Sequence, residues 1–234
     1  MALDTTIHKS IMLKILKDIY ADTIIGSVLG FKGGTAAFMF YNLPRFSVDL
    51  DFDLLDSEKE DYVFERIKEI ISPYGQIKKA DKKRFNLFFL LSYQEGSRNI
   101  KIEINRRDFG SRYELKTYLG ISMKVMVRED MTAHKLTAMY ERLEKTNRDI
   151  FDVWFFLNND WPINREIIEK RTNLSFREFL RKNISMLEKM SNKGILSGIG
   201  ELLGEKQKIW AKANLKKDVL FLLKLKMDNE KNII

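Results

Sequence analysis

The chain contains no cysteine, which excludes disulfide scaffolds, thiolate zinc sites and cysteine nucleophiles. Histidine is nearly absent too: His8 and His134 are too few to build a histidine metal site. No apolar run approaches the ~20 residues that span a bilayer, and the longest, Phe85 to Leu91, is interrupted by Asn86. The opening MALDTTIHKS has no basic stretch followed by an apolar one, so it does not read as a signal peptide. A soluble, cytoplasmic protein with no membrane partner is expected. Only three prolines punctuate the chain, and each falls where a periodic segment ends.

What remains is ample for a core: 234 residues, of which 44% are apolar. The charge is unevenly placed. Residues 1–160 hold 25 basic and 24 acidic side chains, whereas residues 161–234 hold 16 and 9, so nearly all of the +8 excess lies in the last third. A near-neutral front and a basic back suggest that chemistry and polyanion binding are divided between them. A solvated, lysine-rich helical surface is the plainer alternative.

Hydrophobic periodicity gives the outline. Residues 8–20 place Ile11, Ile15, Leu16 and Ile19 on one helical stripe. A short strand over 27–32 runs into Gly33-Gly34 and a helix over 35–41, which Leu43-Pro44 stops. Strand 48–54 and helix 58–71 follow. Strands 85–93 and 99–105 are joined by the turn Gln94-Glu95-Gly96-Ser97, and another strand covers 122–127. The run Lys78, Lys79, Lys82, Lys83, Arg84 reads as an exposed loop. Helices are expected over 131–144 and 149–157, then over 164–170, 175–190 and 206–227. The polar cluster 158–162, ending in Pro162, divides a 1–160 core from a basic helical region, 161–234. The expected fold is α+β: a mixed or antiparallel sheet flanked by helices, followed by an all-helical part.

The most informative segment is FKGGTAAFMFYNLPRFSVDLDFDLL, residues 31–55. In a strand, side chains two apart share a face. Asp49, Asp51 and Asp53 therefore project together while Val48, Leu50, Phe52 and Leu54 face the core. Neighbours on that face lie about 7 Å apart, so the three charges repel and need compensation, for which a divalent cation such as Mg²⁺ is the natural choice. Upstream, Gly33 and Gly34 let the backbone approach a ligand closely, and the helix N-terminus offers amides to phosphate. A bare D-x-D could equally be an edge strand with solvated acids; its pairing with a strand–Gly-Gly–helix unit is what suggests nucleotidyl transfer.

This segment resembles the first motif of the polymerase-β-type nucleotidyltransferase superfamily, and KGGT…YNLPRFSVDLDF is similar to the AbiEii/AbiGii toxin family of bacterial nucleotidyltransferases. The likeness extends over about residues 30–157. It implies a metal-dependent enzyme with an NTP substrate, acting as the toxin of a toxin–antitoxin or abortive-infection system. Asp49 and Asp51 would bind Mg²⁺, and Gly33, Gly34 and Thr35 would hold the triphosphate. Glu103, on the polar face of Asn99–Asn105 with Lys101 and Asn105, matches the superfamily's third carboxylate; it would ligate a metal or accept a proton, or else simply pair with a lysine. Lys135 matches a helical lysine that contacts phosphates, where the residues alone suggest a snorkelling side chain. Asp152, and less clearly Asp149, match an acidic motif, although both sit where carboxylates also cap a helix. Arg45 and Ser47 match R-x-S-x-D-L-D and would hold phosphates or brace the aspartates.

The expected reaction moves a nucleoside monophosphate to an acceptor hydroxyl. The basic tail and the family point to RNA, with tRNA the leading acceptor, and the family implies a separate antitoxin. The alternatives are nucleotidylation of a protein or small molecule, and a catalytically inert module that binds nucleotide or RNA.

Overall fold

The computed structural model describes residues 4–143 and 145–230, and the chain divides into two compact units. The first comprises Met1–Asp108 and Arg112–Met126; the second comprises Phe109–Ser111 and Val127–Ile234. Among the described residues no helix is long and apolar enough to cross a membrane.

The first unit runs α1 (Thr5–Ala21), α2 (Thr23–Val28), β1 (Leu29–Lys32), α3 (Gly33–Tyr41), β2 (Asp49–Leu54) and α4 (Glu60–Ile71). It continues through β3 (Gln76–Lys82), β4 (Asn86–Ser92), β5 (Ile100–Asn105), β6 (Tyr113–Tyr118) and β7 (Ile121–Met126). The seven strands form one sheet in the order β3-β4-β5-β2-β1-β7-β6. It is mixed: β2 pairs parallel with β5, and β1 with β7, while the other neighbours are antiparallel. The α+β expectation with a mixed sheet and flanking helices holds.

Local chemistry sets the helix ends. The Asp4 carboxylate accepts from the amides of Thr6 and Ile7, starting α1 ahead of the expected residue 8. Asp22 does the same for Ile24 and Ile25, so residues 23–28 form α2 and the expected strand 27–32 shrinks to β1. Asn42 ends α3 in a left-handed conformation, ahead of Leu43-Pro44. Residues 78, 79 and 82 are not in a loop but in β3, an edge strand, where lysines deter pairing with another chain.

The second unit is helical: α5 (Arg128–Arg142), α6 (Arg148–Asn158), α7 (Arg165–Thr172), α8 (Phe176–Lys189), α9 (Glu205–Trp210) and α10 (Lys216–Asn229). A π turn, Ala211–Leu215, separates α9 from α10 inside the helix expected over 206–227. The last residue expected in helix 131–144, Glu144, lies outside the described residues. The division between units falls after β7 rather than at the 158–162 cluster. Helices α5 and α6 pack on each other, and α6 also packs on α10, so both belong with the C-terminal helices.

One buried group ties α1 to the sheet. His8 is fully buried on the stripe it shares with Met12, Ile15, Leu16 and Ile19. Its Nε2 lies 2.9 Å from the Val48 carbonyl oxygen, just ahead of β2, and its Nδ1 lies 3.0 Å from the Tyr93 hydroxyl. Burial lowers its pKa from the ordinary 6.5, only partly opposed by the Val48 carbonyl. The folded state therefore prefers neutral His8. Its contribution to stability is present above pH 6.5 and is lost as pH falls below that value towards the lower folded pKa. Urea unfolding of the wild type and His8→Gln should show the stability difference shrinking as pH drops from about 7.5 to well below 6.5. A pH-independent difference would show that His8 does not fold in its neutral form.

Candidate active site

The acidic strand is positioned by its two neighbours. On β5, Lys101 pairs with Asp49, Glu103 with Asp51 and Asn105 with Asp53. On β1, Lys32 pairs with Asp51 and Gly30 with Asp53. Directly paired residues point to the same side of a sheet, so Asp49, Asp51, Asp53, Lys101, Glu103 and Asn105 share a face. Leu50, Phe52, Ile102 and Ile104 fill the opposite face and are fully buried. That apolar face fixes the register, since a slip by one residue would send every carboxylate into the core.

The glycine pair sits against this strand. Gly33 has φ of +78°, and a Cβ there would lie 2.5 Å from Asp51 Oδ2. A Cβ on Gly34 would lie 2.6 Å from Arg45 Nη2 and 2.9 Å from Ser47 Oγ. The first glycine thus supplies a left-handed turn and the second a close approach. The fully buried Thr35 hydroxyl donates to the Asp49 carbonyl oxygen and lies 2.9 Å from Ser47 Oγ. Arg45 is buried and donates from Nη1 to the Phe46 carbonyl at 2.9 Å. Ser47 thus accepts from Thr35 of α3, and the Arg45 guanidinium lies against Gly34. Thr35 spends its hydroxyl internally. Lys32 at the cap position makes no side-chain bond to the first amides of α3, which leaves that end suited to an anion.

The carboxylates differ in their surroundings. Asp53 is 7% exposed and is held by Lys32 Nζ, by Asn105 Nδ2 at 2.6 Å and by the Tyr113 hydroxyl. The Tyr113 ring lies over Gly30, where any Cβ would strike it. Lys101 Nζ lies 3.5 Å from Asp49 Oδ2 and 3.9 Å from Glu103 Oε1. Burial raises the Glu103 pKa; Lys101 pulls it down, and Asp51 and Asp49 push it up again. Mg²⁺ commonly takes one or two carboxylates and completes its shell with phosphate oxygens and water. Asp49 and Asp51 fit that demand, as hard oxygen donors on one face beside a helix N-terminus. A ready-made cage is another matter: among the described residues, no group of three or more His, Cys, Asp or Glu side chains is gathered to hold a metal ion.

The family model described as "Nucleotidyl transferase AbiEii toxin, Type IV TA system" matches residues 14–204. The chain belongs to the AbiEii nucleotidyl transferase toxin family. Membership implies an antitoxin partner. Two solved Helicobacter pylori structures share the fold. JHP933 is 20% identical with a TM-score of 0.60, covering 99% of this chain and 97% of that one. A second protein, described as a candidate nucleotidyltransferase, is 20% identical with a TM-score of 0.64, covering 100% and 99%. No curated protein sequence matches the chain.

The AbiEii resemblance also marks Lys135, Asp149 and Asp152, and all three meet in the helical unit. Lys135 Nζ on α5 lies 2.8 Å from Asp152 Oδ2 and 3.2 Å from Asp149 Oδ1, both on α6. Arg142 Nη2 approaches Asp149 Oδ2 to 2.9 Å as an ion pair without hydrogen-bond alignment. Asp152 is fully buried and holds the Lys135 ammonium in an ion pair.

Sequence reasoning missed Lys32 and Tyr113 as members of the carboxylate face, and missed the match of Lys101 with Asp49. Alternation does place Lys101 beside Glu103, but its match with Asp49 depends on the β2–β5 register, and nothing in the sequence announces Tyr113.

Breaking a buried ion pair leaves an uncompensated charge, at a cost of about 3–5 kcal/mol. Lys135→Met should therefore lower the stability of the helical unit by roughly that amount, read from the urea midpoint. Adding Asp152→Asn should restore part of it. Additive losses in the double variant would show that the two groups are not coupled.

Proposed function

We propose that this protein is a Mg²⁺-dependent nucleotidyltransferase that transfers a nucleoside monophosphate from an NTP to the hydroxyl of an RNA, with tRNA the leading acceptor. The observation that carries the reading is the carboxylate face: Asp49, Asp51 and Glu103 on adjacent, register-matched strands beside the Gly33-Gly34 turn. Asp49 and Asp51 would hold the metal, which supplies positive charge against the phosphoryl oxygens as negative charge builds on them. The α3 amides and the close-packed glycines offer a cradle for the triphosphate, with Arg45, Ser47 and Thr35 keeping it against β2.

In the transfer, an acceptor hydroxyl oxygen forms a bond to the α-phosphorus and the bond to the bridging oxygen breaks, releasing pyrophosphate. Glu103, made more basic by burial and by its neighbouring carboxylates, is the side chain suited to accept the hydroxyl proton. Lys135 is retained, by the family pattern, as the group that offsets phosphate charge. RNA as acceptor is supported by the excess of 16 basic over 9 acidic residues in 161–234, and NTP and RNA substrates make the cytoplasm the natural compartment. The toxin role, including any part in abortive infection, follows from the family together with a separate antitoxin.

Incubation with α-phosphate-labelled NTPs and total RNA should transfer label to RNA and stop on chelation of divalent cations. Asp49→Asn and Asp51→Asn should each cut transfer by at least about a hundredfold. Label appearing only on protein would overturn the RNA acceptor. RNA binding with no transfer in the wild type would favour an inert binding module.

A further inference from the structure

The sheet face that bears the acids does not end at β5. Phe88 of β4 pairs with Glu103, and Asn86 with Asn105, so Phe88 projects on the carboxylate side, one strand and about 5 Å beyond Glu103. Lys83 Nζ lies 3.4 Å from the centre of the Phe88 ring, and its charge acts on the Glu103 carboxylate. The turn leading into β4 carries a second ring. Phe85 is 45% exposed, with the guanidinium carbons of Arg84 and Arg107 at 4.9 Å and 4.8 Å from its centre. We propose that this ledge of Lys83, Arg84, Phe85, Phe88 and Arg107 holds the single-stranded end of the acceptor RNA, stacking its last bases on the rings and meeting its phosphates with the cations. The inference rests on the RNA-transfer reading given above and gives the acceptor a place beside the acids.

The order of groups across the sheet favours the acceptor here over the incoming NTP. From one side to the other stand β1 with the glycine turn that follows it, the aspartates of β2, Glu103 on β5 and Phe88 on β4. A triphosphate at the glycine turn lies on the β1 side of the aspartates, so a hydroxyl that gives its proton to Glu103 comes from the β4 side. The ledge is also held in place. The Lys83 amide donates to the Asn86 carbonyl and the Arg106 amide to the Phe85 carbonyl, each at 2.9 Å. The Arg106 guanidinium donates to the Lys83 carbonyl and, at 2.7 Å, to Glu60 of α4. Arg106 therefore fastens the turn, while Arg84, Phe85 and Arg107 are exposed. Arg107 Nε donates to Asn105 Oδ1 at 3.1 Å, and Asn105 in turn holds Asp53, which links the ledge to the acidic strand. Rings interleaved with cations suit a single strand, because every base has a π face to stack and every phosphate a charge to meet. The basic excess of 161–234 attracts a polyanion without fixing its end. The ledge supplies that fixing.

The test is binding and photo-cross-linking of the full chain with a fluorescent single-stranded RNA of about ten nucleotides that ends in 4-thiouridine. Circular dichroism establishes that each variant is folded. The terminal nucleotide should cross-link within residues 83–88. Phe85→Leu, which keeps apolar bulk and removes the ring, should weaken single-strand binding about tenfold and leave a fully paired RNA duplex bound as before. Arg84→Gln should lower the slope of log affinity against log salt by about 0.7, the loss of one phosphate contact. In the transfer assay both variants should raise KM for RNA rather than KM for NTP. Cross-links confined to 161–234, undiminished single-strand affinity in folded Phe85→Leu, an equal loss on the duplex, or a rise in KM for NTP alone would each overturn the ledge and leave nucleotidyl transfer standing. An absence of transfer to RNA by wild type would instead remove the catalytic reading, and the cross-link, made without NTP, would still decide whether the ledge binds RNA.

Discussion

Three aspartates on one face of a six-residue strand repel each other, and much of the first unit is arranged around where that charge goes. The three do not share one solution. Asp53 is closed off by a lysine, an amide and a phenol, each from a different strand. Asp51 lies against the bare Cα of Gly33, and Asp49 has the Lys101 ammonium within ion-pair distance. The result is a gradient along β2. Its C-terminal acid is structural, holding β1, β5 and β6 together, while the two before it face the glycine turn and Glu103. A single substitution at Asp53 would thus loosen three strands, whereas one at Asp49 or Asp51 would relieve repulsion on the face.

The glycine turn gains its meaning from the same constraint. Its two residues approach different things: Gly33 the Asp51 carboxylate, and Gly34 the buried guanidinium of Arg45 with the Ser47 hydroxyl. Arg45 is buried and donates to the Phe46 carbonyl, while Thr35 fastens the helix to the β2 backbone. That division explains how a helix N-terminus can sit beside negative carboxylates without closing on them. The positive end of α3 and the carboxylates attract, while the Thr35 bonds to Ser47 and to the Asp49 carbonyl hold the helix to the strand.

The strands that were legible in the sequence are those with one buried face. In β2 and β5, apolar side chains alternate with polar ones because one side packs on the core, and β4 shows as an unbroken apolar run from Leu87 to Leu91. The two strands that were missed, β3 and β6, are the two edges of the sheet. Their side chains are mostly half-buried or exposed, so neither face leaves a periodic trace; β3 reads as a basic run for that reason. The carboxylates of the candidate site were legible because the i, i+2 rule is local. Their partners were not. Lys101, Lys32 and Tyr113 reach the face through pairings of strands far apart in sequence, which no local period encodes. Helix ends shifted by a few residues wherever an aspartate cap, as at Asp4 and Asp22, outweighed the apolar pattern.

The helical unit treats its charges differently. Lys135, Asp149 and Asp152 form a buried knot in which two carboxylates face one ammonium, with Arg142 at the margin. Desolvating such a group is expensive, and an apolar trio of the same volume would serve stability as well or better. Its presence therefore argues for a fixed lysine rather than for a stronger fold. Elsewhere in 161–234 the basic excess is made of 12 lysines and only 4 arginines. Lysine meets phosphate as a hydrated point charge without the rigid fork that reads one geometry. Several of these lysines are tied down locally: Lys208 to Glu205, Lys224 to Glu188, and Lys216 to the carbonyls of Glu188 and Met190. Each acid paired in this way cancels a lysine it touches, but the net charge of the region stays positive. A surface of this kind gathers a polyanion through long-range attraction and discriminates little among sequences. Selection of one acceptor would then fall to the geometry at the reacting hydroxyl.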